Sequence, residues 1–472
     1  MKFEKLRKED IVTLLPWLRR QNTHISNYSA SFLFMWHRHQ NAWFATVGDC
    51  LILREQFVKM PYFYYPISLS GSEEEERAAI SALEEYCREN KERLHFTNVP
   101  KNKLCELVPR YGADVHISNL RKWRDFLYRT EDFRSFAGGK YSGQRNHINK
   151  FKKNYPDALM YPFRQEDVGE VLKFLDEYSA VQLSKDTFLA KEELRAVREV
   201  LPFIEKLDLV GAYVRIGGKI VSFVIGEKCG DMMIVVVEKA LREYEGIYPA
   251  TAQMFAKSFC GEEIEYLNRE DDAGDLGLRK SKMQYLPCEL VDKYNLAIHR
   301  PIDTLSKFPE IRTQRLVLKK IGKEDTAEYA RLARDEELNR YWGYDWKKDA
   351  PEDVADEWFL KDVYTDFKNK DEIRLGIYSE GTLIGEATLY NFGYRVEAEF
   401  GVRVSKEYQG RGFAKEAAIG LCGYGFSVLN LERIEAKCYK PNQPSAKMLQ
   451  ASGMRPCGED ETFLYFYKTA AM

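Results

Sequence analysis

The sequence predicts a mixed α/β or α+β protein built as more than one domain, with mostly antiparallel sheets flanked by helices. Its 472 residues, 44% hydrophobic and 31% charged, have globular composition but exceed what a single core accommodates. Strand-length apolar runs, such as 220–225 and 232–237, alternate with stretches of helical period. The character also changes at Arg300-Pro301, where an irregular segment carrying Pro301 and Pro309 precedes a new strand. The domains expected are therefore residues 1–300 and 311–472.

In the C-terminal part a strand is predicted at 315–319, then helices at 324–334 and 351–367, with Asp325 and Glu352 suited to their starts. Strands at 373–378 and 382–390 join through Ser379-Glu380-Gly381 as a hairpin, and a third antiparallel strand covers 397–404. A helix at 412–426, a strand at 433–438, a short helix at 445–452 and a last hairpin at 455–467 complete the order.

In the N-terminal part, strands at 43–46 and 50–54 flank a Val47-Gly48-Asp49 turn, and a charged helix follows at 72–89. Further strands are expected at 94–98 and 123–128 and a basic helix through 147–153. A meander over 211–216, 219–227 and 232–238 then repeats the C-terminal pattern.

Composition excludes several function classes. Lys and Arg number 71 against 73 Asp and Glu, and the balance holds on both sides of the boundary, so no chain-wide basic field draws in nucleic acid or anionic lipid. No apolar run approaches the roughly 20 residues of a membrane span, and residues 1–20 do not read as a secretory signal. A cytoplasmic protein without membrane attachment is expected. Nine scattered cysteines with no Cys-x-x-Cys pair read as reduced and mostly buried, and no histidine stands at a ligand-like spacing from them, so no metal site is expected. The last histidine is His299, which removes imidazole as a base for the C-terminal domain.

Between the 397–404 strand and the helix after it lies Tyr408-Gln409-Gly410-Arg411-Gly412-Phe413-Ala414, whose small residues let backbone N–H groups approach an anion at a helix start. Its Gln-x-x-Gly-x-Ala spacing resembles the acyl-CoA pyrophosphate loop of the GNAT acetyltransferases, and the element order over 311–470 resembles their fold. That resemblance implies acetyl-CoA as cosubstrate, held by Gln409, Gly410, Arg411, Gly412, Phe413 and Ala414, with the backbone of Val402 and Val404 offered to the pantetheine arm. Asn442-Gln443-Pro444-Ser445, followed by Leu449 and Gly453-Met454, is similar to the branch containing the ribosomal-protein N-terminal acetyltransferases. It implies a cofactor-side role for Asn442 and makes Ser445, or alternatively Tyr439, the proton donor to the departing thiolate; both Asn442 and Ser445 would also suit a helix cap.

An alkylammonium is protonated near pH 7, so a carboxylate must remove its proton before attack. Alternation over 397–404 puts Glu397, Glu399 and Arg403 on one face and Ala398, Phe400, Val402 and Val404 on the other. Glu399, in Ala398-Glu399-Phe400-Gly401-Val402, is similar to the functional glutamate of many GNAT enzymes and is favoured over Glu397; a solvated polar face explains the pattern equally. The segment 341–346, with Trp342, Asp345 and Trp346, could select the acceptor or lid the core.

Residues 1–297 carry Asn27-Tyr28-Ser29, Phe34-Met35-Trp36, a Lys140-to-Phe151 segment, Asn268-Arg269-Glu270-Asp271 and Gly277-Leu278-Arg279-Lys280-Ser281-Lys282. Together these resemble the phosphatidylglycerol lysyltransferase C-terminal domain, a tandem GNAT-like fold similar also to peptidoglycan aminoacyltransferases, which makes three GNAT-like units in all. The corresponding loop, 242–249, has one glycine, two glutamates and Pro249, which lacks an N–H, and so suits CoA poorly. The basic helix with Lys140, Arg145, His147, Lys150, Lys152 and Lys153 could meet tRNA phosphates, or be a solvated face with Ile148 and Phe151 inward.

The activity expected is N-acetylation by acetyl-CoA of a primary amine, on a small molecule such as an amino sugar, polyamine or amino acid, or on a protein N-terminus. The alternatives are aminoacyl transfer from charged tRNA by the N-terminal region and an acyl-CoA sensor without turnover.

Overall fold

The computed structural model describes every residue except 21–22, 58–59, 183–187, 343–344, 349–352, 395 and 471–472. It divides into two compact units: Met1–Leu83 with Arg93–Glu106 and Ile117–Ala297, and Glu84–Glu92 with Leu107–His116 and Ile298 onward. The class is mixed α/β, with three sheets flanked by helices.

One motif recurs in all three sheets: an antiparallel meander, a helix, and a strand returning parallel to the meander's last member. In the first sheet the meander is Trp43–Val47, Cys50–Phe57 and Met60–Tyr64, the helix Glu73–Glu89 and the return strand His95–Val99. In the second they are Leu209–Ile216, Lys219–Cys229 and Met232–Ala240, then Ile247–Phe259 and Tyr266–Asn268. In the third they are Glu372–Ser379, Thr382–Tyr390 and Glu397–Val404, then Phe413–Ser427 and Arg433–Tyr439.

The hairpin turns follow from local chemistry. Gly217-Gly218 and Glu380-Gly381 close two-residue turns with both central residues at positive φ, +54° and +83° in the first and +49° and +83° in the second. That geometry matches the right-handed twist of the flanking strands. In the third sheet Ala398, Phe400 and Val404 bury against Ala417, Ala418 and Leu421 of the Phe413–Ser427 helix. Tyr329, Leu360 and Val363 of the helices Thr326–Arg334 and Asp356–Asn369 form a second apolar cluster with Tyr378 and Leu383.

Several sequence expectations are corrected. The strand expected at 123 begins at Asp125, because Arg121–Trp123 form a 3-10 turn. The helix expected at 351 begins at Asp356, and Glu352 lies outside the described residues. Asp325 makes no cap bond; its carboxylate accepts the Tyr378 hydroxyl at 2.6 Å instead. Arg403 is not on a solvated face: it is buried and its Nε stands 2.5 Å from Glu386, which is fully buried. No helix among the described residues is long and apolar enough to cross a membrane.

Candidate active site

The site of the third sheet begins where its ladder stops. Glu397–Val404 pairs in parallel with Arg433–Tyr439 only from Glu397 to Glu399, opposite Arg433 to Glu435. From Phe400 onward the edge facing that neighbour has no ladder partner, so backbone groups of Val402 and Val404 can serve an extended ligand. On its other side the strand stays paired to Thr382–Tyr390 as far as Val404 opposite Gly385.

The strand runs directly into the glycine loop. Gly410 and Gly412 have φ of +74° and +81°, in the left-handed region that glycine enters without Cβ strain, and Gly412 is the N-cap of the Phe413–Ser427 helix. Gln409, Gly410, Arg411 and Gly412 are all exposed, Ala414 is partly buried, and Phe413 is buried as the loop's anchor. The Gln409 side chain donates to the Val404 carbonyl at 3.0 Å, tying loop to strand.

Two residues that sequence reasoning missed hold this loop. Arg315 donates to the Arg411 carbonyl at 3.1 Å and pairs with Glu416 at 2.7 Å, and its guanidinium covers the Phe413 ring at 4.7 Å. Burial works against the Glu416 charge, but bonds from the Thr313 hydroxyl and from the Arg315 backbone and guanidinium outweigh it and hold the carboxyl below its usual value. Arg315 and Glu416 lie about a hundred positions apart, so no local spacing could have linked them.

Glu399 occupies the last paired position before the ladder opens. Its side chain is 18% exposed, whereas Glu397 is exposed. Asn391 donates to its Oε1 at 2.9 Å, Lys437 lies 3.5 Å from Oε2, and Arg88 of the same compact unit is 3.9 Å away. Tyr390 stands opposite it in the ladder, and burial together with the Glu399 charge pushes the Tyr390 phenol upward. Glu399 thus stands between one amide donor and two cationic side chains.

Asn442 and Ser445 meet at the start of the Gln443–Ala451 helix, where the Asn442 Oδ1 accepts from the Ser445 N–H at 3.3 Å. Burial raises the Cys438 thiol, partly opposed by its bond with Ser445. Tyr439 ends the return strand, its ring 4.6 Å from Phe463 and 5.7 Å from Tyr341. Ser445 and Tyr439 are both partly buried.

On the face shared by Glu399 and Arg403, Trp342 covers the Arg403 guanidinium at 4.6 Å. A water-sized cavity of about 20 Å³ lies beside them, lined in part by Tyr329, Asn339, Trp346 and Arg374. Within the segment singled out for acceptor choice, Gly343 and Tyr344 lie outside the described residues, and Asp345 is exposed and caps the Lys347 N–H. No group of three or more His, Cys, Asp or Glu among the described residues could hold a metal ion.

In the second sheet the ladder also opens, beyond Ile234 opposite Asn268, and Gly246 caps the next helix with φ of +86°. Here the basic helix, Ser142–Asn154, fills the approach. A Cβ on Gly246 would lie 2.4 Å from the His147 carbonyl oxygen, and Lys150 pairs with Glu245 at 2.6 Å. Ile148 and Phe151 point inward and are buried, while Lys152 and Lys153 are exposed.

Residues 18–297 match the family described as phosphatidylglycerol lysyltransferase, C-terminal, and residues 315–455 match the acetyltransferase (GNAT) domain. The uncharacterized N-acetyltransferase YoaA of Bacillus subtilis is 27% identical over 161 residues, 34% of this chain and 89% of its own length. Spermidine N(1)-acetyltransferase of Escherichia coli K12 is 28% identical over 144 residues, 30% of this chain and 74% of its own. The crystal structure of a conserved protein of unknown function from Bacteroides thetaiotaomicron superposes with a TM-score of 0.59 at 26% identity, covering 63% of this chain and all of that one.

Proposed function

Since the chain belongs to the phosphatidylglycerol lysyltransferase C-terminal family and carries a GNAT-family N-acetyltransferase domain, we propose that residues 311–472 move an acetyl group from acetyl-CoA to a primary amine. The observation that carries this is the joining of an open strand edge, Phe400 to Val404, to an exposed glycine loop at a helix N-terminus. The fit is chemical: the loop offers backbone donors and partial positive charge to phosphates, and the edge offers an extended hydrogen-bonding track to an amide-bearing arm. Acetyl-CoA would supply the activated acyl group.

The chain's own groups then have distinct tasks. Gln409 to Ala414 hold the pyrophosphate, with Arg315 and Glu416 fixing the loop. Backbone N–H groups near Val402 to Val404 hold the acyl carbonyl where its oxygen gains charge. Glu399 takes the proton from the acceptor ammonium, directly or through water, and its contacts with Asn391 and Lys437 hold the carboxylate in place. Ser445, placed by the Asn442 cap, returns a proton to the leaving sulfur, with Tyr439 as the alternative donor; Asn442 also faces the cosubstrate.

The acceptor is a small-molecule amine or a protein N-terminus. The relative named for spermidine N(1)-acetylation supports the amine class. Thiol release from acetyl-CoA across an amine panel tests the reading. Turnover with at least one amine is expected, and calorimetric acetyl-CoA binding without release for any amine would replace the enzyme by a sensor.

A further inference from the structure

Arg403 is a costly residue to keep inside the third sheet. A guanidinium taken out of water loses solvation that a buried ion pair repays only in part, so such a pair adds little net stability and acts through its geometry. Here the geometry is specific. Arg403 is 9% exposed, and its Nε meets Oε1 of Glu386, which is 0% exposed, at 2.5 Å. The Tyr329 hydroxyl donates to the other Glu386 oxygen at 2.7 Å, so both carboxylate oxygens are engaged. The rest of the guanidinium is aimed at one segment of chain: Nη1 donates to the Asn339 side-chain oxygen, and the group lies over the Trp342 ring at 4.6 Å.

That segment reaches the place where an acceptor must arrive. The Trp342 N–H donates to the Asn339 carbonyl at 3.0 Å, so Arg403 grips one turn at both its ends. The Tyr341 ring lies 5.7 Å from that of Tyr439. Trp342 packs against Gly401, where an added Cβ would lie 3.5 Å from the indole, and Gly401 directly precedes Val402 on the open strand edge. Glu399, Gly401 and Arg403 alternate onto one face, so the indole lies over the stretch between the carboxylate and the guanidinium. Apolar packing alone does not hold it there, because Trp342 is half-buried and borders the water-sized cavity together with Asn339 and Arg403.

We infer that Arg403 is a positioning residue for the acceptor: held by Glu386, it fixes the 339–342 turn so that the indole walls the approach of the amine to the thioester. The inference rests on acetyl transfer by residues 311–472 and adds to that reading the element that sets acceptor fit. With the guanidinium over one face, the rest of the indole presents carbon to the stem of the amine. Lysine at this position would keep a charge for Glu386 but lacks the planar fork that serves Glu386, Asn339 and Trp342 together. Attack requires the nitrogen at about 3–3.5 Å from the carbonyl carbon, so a displacement of the wall by about 1 Å is felt as lost acceptor fit.

Initial rates with spermidine, glucosamine and glycinamide, the amine turned over fastest being carried forward, test it. Arg403→Lys is expected to raise the KM for that amine at least tenfold, with kcat within about threefold and calorimetric acetyl-CoA affinity unchanged. Trp342→Leu should do the same, and the double variant should be no worse than Trp342→Leu alone, because the guanidinium acts through the ring. Asn339→Ala, at a half-buried position, should raise the KM about threefold and serves if Arg403→Lys fails to fold. An amine KM unchanged in every folded variant, losses that multiply in the double variant, or acetyl-CoA affinity falling in step with the amine would each overturn the role of Arg403 while leaving acetyl transfer standing. Thiol release with none of these amines would overturn acetyl transfer to them and this inference with it.

Discussion

The loops that leave the second and third meanders share a backbone and differ in what faces it. Both follow a strand whose parallel pairing stops early, and both end on a glycine N-cap in the left-handed region, Gly246 and Gly412. Beside Gly412 the nearest atom to an added Cβ would be the flexible end of Arg315 at 3.5 Å, whereas beside Gly246 it is the His147 carbonyl at 2.4 Å. The same turn is therefore open in one unit and filled by a helix in the other. Glycine at Gly412 leaves room for an incoming group; at Gly246 it leaves room for the protein's own main chain.

The largest effect separating the two is on cosubstrate binding. Gly412→Asp, which puts bulk and negative charge beside the phosphates, is expected to weaken acetyl-CoA by at least a hundredfold in calorimetry, while Gly246→Asp leaves the affinity of folded protein unchanged. Equal losses in both variants would break the comparison.

Next comes chemistry confined to the third sheet. Glu399→Gln should lower turnover by about 10²- to 10⁴-fold, the range of general base catalysis, with acetyl-CoA affinity nearly intact. Full activity across the pH range would remove Glu399 as base and return the assignment to Glu397.

Stability should order the glycines the other way. Gly246→Ala meets both the backbone penalty and a carbonyl collision and should cost roughly 2–4 kcal/mol, against about 1–2 kcal/mol for Gly412→Ala, where the conformation alone is strained. Denaturant midpoints decide this, and a costlier Gly412→Ala would show that the second loop yields.

The smallest effect is titratable. Glu416 has a depressed pKa, so its ionisation stabilises the fold above its ordinary value of 4.5, and that contribution is lost as pH falls through the lower folded value. Glu416→Gln should therefore destabilise by about 1 kcal/mol at pH 7 and by progressively less below pH 4.5. A difference independent of pH would mean that packing, not charge, holds Arg315.

Much of this architecture is legible from residues close together in sequence. Strand and hairpin signals delimit Thr382–Tyr390 and Glu397–Val404 with the bounds the structure has. Paired left-handed positions at Gly217-Gly218 and Glu380-Gly381 announce their hairpins. What escapes is whatever depends on remote partners. Arg403 reads as a surface strand residue until Glu386 is seen beneath it, and Arg315 has no evident task until Glu416 and the Arg411 carbonyl arrive from the far side of the domain. The poverty of the 242–249 loop is visible in its glutamates and proline, but the approach of the His147 carbonyl to Gly246 is not, because a main-chain carbonyl leaves no mark in composition.

The short parallel join in each sheet has a kinetic consequence. The meander strands are linked by short connections and can zip early, because little chain entropy is lost in closing them. The join must wait for a helical crossover, 405–432 in the third sheet, and is then secured by a register only three residues long. Amides of Arg433–Glu435 should accordingly gain protection late in refolding and lose it early in native-state exchange, so the feature that opens the strand edge to a ligand is also the sheet's slowest seam to close.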